Sequence, residues 1–259
     1  MSDKPILEVI GLTKSFGGLT AVSDVSLTVG LGEILGVIGP NGAGKTTFFN
    51  VIAGSMPPTS GTVHFEGTDC TGMRADHMAR LGMTRTFQIT SLFPALSAFD
   101  NVRAATYRTK STGWIASIMR SAAYRSEEAT VSDSAMEALR FVELDKRAHV
   151  MADALSYGEQ RRLEIAIALA AEPRLLLLDE PAAGMNPEEG QRLVGMIKKI
   201  RDRGVSILLV EHHMRVVMGV CDRVVVIDHG IKIAEGAPSE VVNNPDVIRV
   251  YLGREAVSA

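Results

Sequence analysis

Gly39-Pro40-Asn41-Gly42-Ala43-Gly44-Lys45-Thr46 fits the pattern G-x-x-x-x-G-K-[ST]. Those residue types at that spacing suit a chain of phosphates. Glycines let backbone N–H groups turn toward an anion, and a helix starting at the end of the loop adds the positive end of its dipole. Lys45 is placed to reach the β- and γ-phosphates of a nucleotide, and the Thr46 hydroxyl to hold Mg²⁺. Thr47 follows directly and is counted in the same phosphate cradle. The competing explanation is a plain glycine-rich turn. A second cluster comes much later, in Leu175-Leu176-Leu177-Leu178-Asp179-Glu180. Four apolar residues predict a buried strand with two carboxylates at its C-terminal end, where open α/β sheets bind ligands. Asp179 then coordinates Mg²⁺ through water, and Glu180 polarises an attacking water as general base. Alone, this could be a solvated acidic turn.

Both clusters need a sheet to hold them. Ile34 to Ile38 predicts the strand that feeds the phosphate loop, and Thr47 to Ala53 a helix that Gly54 ends. Strands are also predicted at Ile6 to Ile10, Val22 to Val29 and Thr62 to Glu66, with Gly30 and Gly32 marking a turn. From about Ser91 to Ala154 the texture turns helical, as in Ala135, Leu139 and Val142. Helices are then predicted over Ser156 to Ala171 and Pro187 to Arg203, and strands over Arg174 to Leu178 and Val205 to Val210. Arg223 to Ile227 and Ile231 to Ala234 flank Asp228-His229-Gly230 as a hairpin. Apolar strands alternating with helices imply an α/β fold with a mostly parallel sheet covered on both faces.

Bulk properties narrow the function. With 259 residues, 46% hydrophobic and 22% charged, the chain should fold around a large core. Its net charge of −3 argues against a general nucleic-acid binder. Cys70 and Cys221 stand far apart, form no metal spacing and suit a reducing compartment. MSDKPILEV lacks the apolar segment of a signal peptide, and no apolar run approaches the ~20 residues that span a bilayer. Any membrane role is therefore expected to come through a partner.

Leu155-Ser156-Tyr157-Gly158-Glu159-Gln160-Arg161-Arg162 resembles the signature sequence of ATP-binding cassette (ABC) ATPases, with Tyr157 where the family usually has glycine. The rest of the chain matches that family in order. The resemblance implies a P-loop NTPase core with a mostly parallel sheet, an N-terminal antiparallel β subdomain and a helical subdomain. The core would span about 1–90 and 156–259, and the helical part about 91–155, within one ABC ATPase domain. It places Phe16 against adenine, where the competing reading is ordinary core packing, and makes Gln88 a sensor of the γ-phosphate and Mg²⁺. Gly184-Met185-Asn186-Pro187 becomes the loop facing the opposite subunit, often with Asp in place of Asn186. His212 becomes the switch histidine, with His213 the alternative at a position where related sequences commonly carry Asp. Glu211 is given no chemistry. Ser156-x-x-Glu159 is also a local capping box. With ATP bound, the resemblance turns Ser156, Gly158 and Glu159 toward a γ-phosphate held by another subunit, so two cassettes close head-to-tail over two nucleotides.

Within the family, three segments resemble the ATP-binding subunit of high-affinity branched-chain amino acid importers. They are Leu155 to Ala166, Glu180 to Pro187, and the tail from Ile233 through Gly253. The resemblance implies a peripheral protein on the cytoplasmic face of the inner membrane. Its partners would be a second, usually different, ATPase subunit, two permeases, and indirectly a periplasmic solute-binding protein. The permease would dock near Gln88, Ile89, Leu92 and Phe93, unless these are simply core. Urea importers and lipopolysaccharide exporters, whose ATPases share this tail, are the alternatives in transport, although the latter usually keep glycine at the Tyr157 position. A soluble cassette of translation or DNA repair is the alternative outside it. Such proteins usually carry two cassettes or a coiled coil. Arg103, Arg108, Lys110, Arg120 and Arg125, interleaved with Tyr107, Trp114 and Tyr124, form either a solvated helical face or a contact for anionic lipid headgroups or permease loops.

Overall fold

The computed structural model describes residues 4–86, 92–106 and 122–255, with 122–127 and 252–255 described by backbone alone. The chain divides into two compact units, Met1–Arg85 with Arg174–Ala259, and Thr86–Pro173. The first unit opens with β1 (Leu7–Phe16), β2 (Leu19–Val29), β3 (Ile34–Ile38), α1 (Lys45–Ile52), β4 (Ser60–Phe65), β5 (Thr68–Asp69), α2 (Ala75–Leu81) and β6 (Met83–Arg85). The second unit holds α3 (Ala98–Thr106), α4 (Ala122–Phe141) and α5 (Tyr157–Leu169). The first unit resumes with β7 (Leu175–Asp179), α6 (Pro187–Asp202), β8 (Ser206–Val210), α7 (Met214–Val220), β9 (Arg223–Asp228), β10 (Ile231–Gly236), α8 (Pro238–Val242) and α9 (Pro245–Glu255).

Two sheets build the first unit. One is antiparallel, in the order β2-β1-β4-β5, and the other runs β10-β9-β3-β8-β7-β6. In the second sheet only β10 runs antiparallel to its neighbour. Strands β3, β7 and β8 are buried at every position, as expected for parallel strands covered on both faces. Helix α1 shares one core with both sheets. Phe48 and Phe49 are fully buried there with Leu7 and Leu12 of β1 and Leu35 and Val37 of β3. Strands β9 and β10 turn through His229 and Gly230, whose φ values of 47° and 78° give the turn that matches strand twist.

Several elements depart from the sequence expectation. Strand β1 continues to Phe16 because bulges at its register shifts keep the pairing with β2 going past Gly11. Helix α2 and strand β6 were not anticipated. Each is too short to develop a period, and β6 exists because Met83, Thr84 and Arg85 pair with Leu175, Leu176 and Leu177. Helix α5 belongs to the helical unit, which runs to Pro173, since it packs on α3 and α4. Both cysteines are buried and free. Burial pushes the Cys70 thiol up to about 11 and the Cys221 thiol up to about 12, so neither is a nucleophile near neutral pH.

Gly44 caps α1 at φ 99°, and a Cβ there would lie 2.2 Å from the Ala21 carbonyl oxygen at the start of β2. Gly44→Ala should therefore lower stability by on the order of 3 kcal/mol, from backbone strain and overpacking. Urea unfolding of the full chain checks this, and an unchanged midpoint would mean that β2 yields freely.

Candidate nucleotide site

Strand β8 lies between β3 and β7, and all three are parallel. The register sets Val37 beside Val210, and Val210 beside Asp179. The phosphate loop, the Glu211 loop and the Glu180 turn thus leave the sheet at the same edge, the carboxyl edge at which such sheets bind ligands. Three segments far apart in sequence converge there through backbone pairing alone.

The loop from Gly39 is tightly cast. A Cβ on Gly39 would meet the Ile227 carbonyl oxygen at 2.0 Å, so the close approach of β9 admits only glycine. The Ala43 N–H donates to Pro40 O (3.1 Å), and Gly230 N–H donates to Ala43 O (2.8 Å). Lys45 is buried and curls over its own loop, with Nζ donating to Gly39 O (2.7 Å) and Pro40 O (3.0 Å). A lysine held over the loop by two carbonyls puts a cation beside a helix N-terminus, which suits a phosphate chain. Asn41, Gly42 and Thr46 are exposed along the same rim, and Thr47 is half-buried.

Asp179 closes β7 in a nearly buried position. Its Oδ2 accepts a 2.6 Å bond from Arg85 Nη2 at the end of β6. The other arm of that guanidinium donates to Asn50 Oδ1 on α1 at 2.6 Å, while the cation lies 5.0 Å from the Phe49 ring centroid. Arg85 thereby joins the strand of Asp179 to the helix of the phosphate loop. Glu180 comes next with φ 46°, a left-handed conformation for a residue with a side chain. It is about a third exposed, and its Oε1 lies 3.6 Å from His212 Nδ1. The structure brings together Glu180 and His212, which are separated by a helix and a strand in sequence.

Glu211, the residue before His212, is fully buried. Its Oε1 accepts from the Ala182 N–H at 2.8 Å. Its Oε2 accepts from the N–H groups of His212 (2.9 Å) and His213 (3.0 Å), and lies 3.1 Å from His213 Nδ1, which donates when protonated. Glu211, His212 and His213 hold ligand atoms within 4.8 Å of one another. The carboxylate is committed to N–H donors, so the trio is a hydrogen-bonded clasp rather than a metal centre.

The remaining site residues are placed individually. Phe16 is 48% exposed at the end of β1, with Lys14 Nζ 5.2 Å from its ring centroid, so it is surface and not core. Gly17, at φ 57°, turns the chain beside it. In the helical unit Ser156 and Glu159 form the capping box of α5: Ser156 Oγ accepts from Glu159 N–H (3.4 Å), and Glu159 Oε2 accepts from Ser156 N–H (2.9 Å). Burial raises the Glu159 carboxyl, but the Ser156 bonds and the charges of Arg147 and Arg162 outweigh it and hold it below its ordinary value. Gly158 is buried in the first turn. Tyr157 accepts a 3.2 Å bond at its hydroxyl from Arg161, which lies 5.5 Å from the ring centroid and pairs with Glu164 at 3.0 Å. The side chain at the usual glycine position is thus spent inside its own helix. Asn186 caps α6 by accepting from Glu189 N–H at 3.0 Å, which an aspartate would do equally well. Gln88 and Ile89 lie outside the described residues, as does most of the Arg103 to Arg125 stretch. Leu92 is half-buried, and Phe93 and Leu96 are 58% and 39% exposed, so the latter two are not core of the helical unit.

Residues 22–183 match the ABC transporter family model, and residues 232–257 match that of the branched-chain amino acid ATP-binding cassette transporter. The chain belongs to the ABC transporter family of ATP-binding cassettes. It is 44% identical to the high-affinity branched-chain amino acid transport ATP-binding protein BraF of Pseudomonas aeruginosa, over 96% of this chain and 98% of that one. It is 41% identical to the corresponding LivG protein of Escherichia coli K12, with the same coverage. Among solved structures, an ABC transporter cassette in its ADP conformation matches with a TM-score of 0.84 and 29% identity, over 96% of this chain and 99% of that one. A dimeric cassette in a post-hydrolysis state with ADP and phosphate matches with a TM-score of 0.76 and 25% identity, over 90% of this chain and 98% of the other. The cassette binds ATP and is an ATPase of the transporter class.

Two groups at the candidate site have partners that the sequence did not reveal, although Glu211 stood next to His212. Arg85 lies 94 residues from Asp179, and Glu211 lies 29 from Ala182. Neither stands in a spaced motif, and only the β6–β7 and β7–β8 pairings bring them in. Arg85→Ala would strand the Asp179 charge in a site of low exposure. It should cost about 3 kcal/mol, the penalty of breaking a buried pair from one side. Denaturant melts of Arg85→Ala and of Arg85→Ala with Asp179→Asn test this, since the second change should recover much of the loss.

Proposed function

We propose that this cassette powers import of branched-chain, hydrophobic amino acids through a partner permease. Its 44% identity over nearly its whole length to a branched-chain amino acid transport ATP-binding protein carries that reading. The match of residues 232–257 to the branched-chain cassette model supports it against a soluble cassette. Among the described residues no helix is long and apolar enough to cross a membrane. The chain then acts from the cytoplasmic face as a peripheral subunit, beside a second cassette and a permease pair supplied by a solute-binding protein. The permease docks near Gln88, Ile89, Leu92 and Phe93, a reading that the exposure of Phe93 supports. The two compact units act as one ABC ATPase domain.

Gly39 to Thr47 cradle the phosphates, Lys45 balances the β- and γ-phosphate charge, and Phe16 stacks on adenine. The Thr46 hydroxyl and the Asp179 carboxylate are hard oxygen donors that suit Mg²⁺, with Gln88 as a further ligand. When bound, Mg²⁺ neutralises charge that builds on the phosphates. Glu180 takes a proton from the attacking water, and His212 beside it contacts the γ-phosphate. Ser156, Gly158 and Glu159 serve the nucleotide of the opposite cassette, where the α5 N-terminus faces the γ-phosphate. Hydrolysis reopens the pair and resets the permease.

Glu180→Gln should bind ATP as the native chain does and lose turnover by about 100-fold or more, accumulating an ATP-bound closed pair. Nucleotide titration with single-turnover kinetics reads both, and undiminished hydrolysis removes Glu180 from the role. In source cells, Lys45→Ala at normal expression should abolish labelled leucine uptake and spare urea uptake. Loss of urea uptake alone would move the cargo.

A further inference from the structure

We propose that Glu211 is a positioning residue whose buried carboxylate fastens the Glu180 turn to the His212 loop and so sets the geometry in which the two groups meet the attacking water. The inference rests on the reading of Glu180 as base and His212 as its neighbour at the γ-phosphate.

The donors around Glu211 come from two loops. Ala182 belongs to the turn between β7 and α6, two residues beyond Glu180. His212 and His213 belong to the loop between β8 and α7. One carboxylate oxygen serves each loop, so the side chain is a strut between them. Glu180 itself is held by its N–H, which donates to Val210 O at 2.9 Å and extends the β7–β8 ladder by one rung. Past that rung, the Ala182–Glu211 bond carries the link from the turn to the β8 side. Glu180 needs such a link, because φ 46° persists only where the surroundings over-determine it.

The chemistry of the clasp demands a carboxylate. Three backbone N–H groups and one ring nitrogen converge on Glu211. An ionised carboxylate only accepts and has room for about four donors. A glutamine of the same shape must direct its own NH₂ at either Ala182 N–H or the histidine N–H groups, donor against donor. The clasp also gives His213 a use, since its Nδ1–H can add a donor to Glu211 where an aspartate could not.

Glu211→Gln and Glu211→Asp in the full chain test the proposal, with Glu180→Gln measured alongside. Turnover is expressed per nucleotide-binding molecule, so that lost folding does not count. Glu211→Gln is expected to lower kcat by about 10-fold or more with the KM for ATP within about twofold of native. Glu211→Asp keeps an acceptor-only group and should retain more turnover than the glutamine variant, although it loses reach. The proposal is overturned by a kcat within about twofold of native in Glu211→Gln, by a loss of ATP affinity that accompanies the fall, or by an aspartate variant no better than the glutamine one. If Glu180→Gln is dead while Glu211→Gln turns over normally, only the positioning role falls. If Glu180→Gln turns over, the general-base assignment falls instead.

Discussion

The parallel pairing of β3, β8 and β7 is the constraint on which everything else depends. Backbone hydrogen bonds fix Val37, Val210 and Asp179 in one row across three strands. Because the strands run the same way, the segments that follow them emerge at one edge. Phosphate loop, histidine loop and acidic turn then need only short reach to share a ligand. A one-residue slip of β7 against β8 would turn Asp179 to the opposite face of the sheet, and the buried apolar residues of all three strands oppose that slip.

Charge at this edge is held by partners rather than by water. Lys45 rests on two carbonyl oxygens, Asp179 on the Arg85 guanidinium, and Glu211 on N–H groups from two loops. Each arrangement lets an ionised group sit at low exposure without the full cost of desolvation. The same economy holds in the helical unit, where Arg161 and Glu164 are buried as a pair under Tyr157. Burial there still pushes the Glu164 carboxyl up to about 7 against the lowering pull of Arg161.

The site was legible where its chemistry is local. Gly39 to Thr46 announce themselves because loop, lysine and hydroxyl act within one turn of chain, and Ser156 with Glu159 because a capping box spans one helical turn. Asp179 and Glu180 were legible because an apolar run ends on them. Arg85 and Glu211 were not, since each acts across strands and carries no spacing to recognise. The same limit hid β6, a three-residue strand that exists through pairing with β7, and the inclusion of α5 in the helical unit.

By itself, the sequence determined the phosphate loop, the alternation of buried strands with helices, the hairpin at His229 and Gly230, and membership in the cassette family. These rest on backbone conformation, periodicity and side-chain type over short spans. Tertiary structure alone decided that Glu180 and His212 lie 3.6 Å apart, that Arg85 neutralises Asp179, and that Glu211 binds two loops into one. Those are consequences of strand order and register, which local residue patterns do not encode.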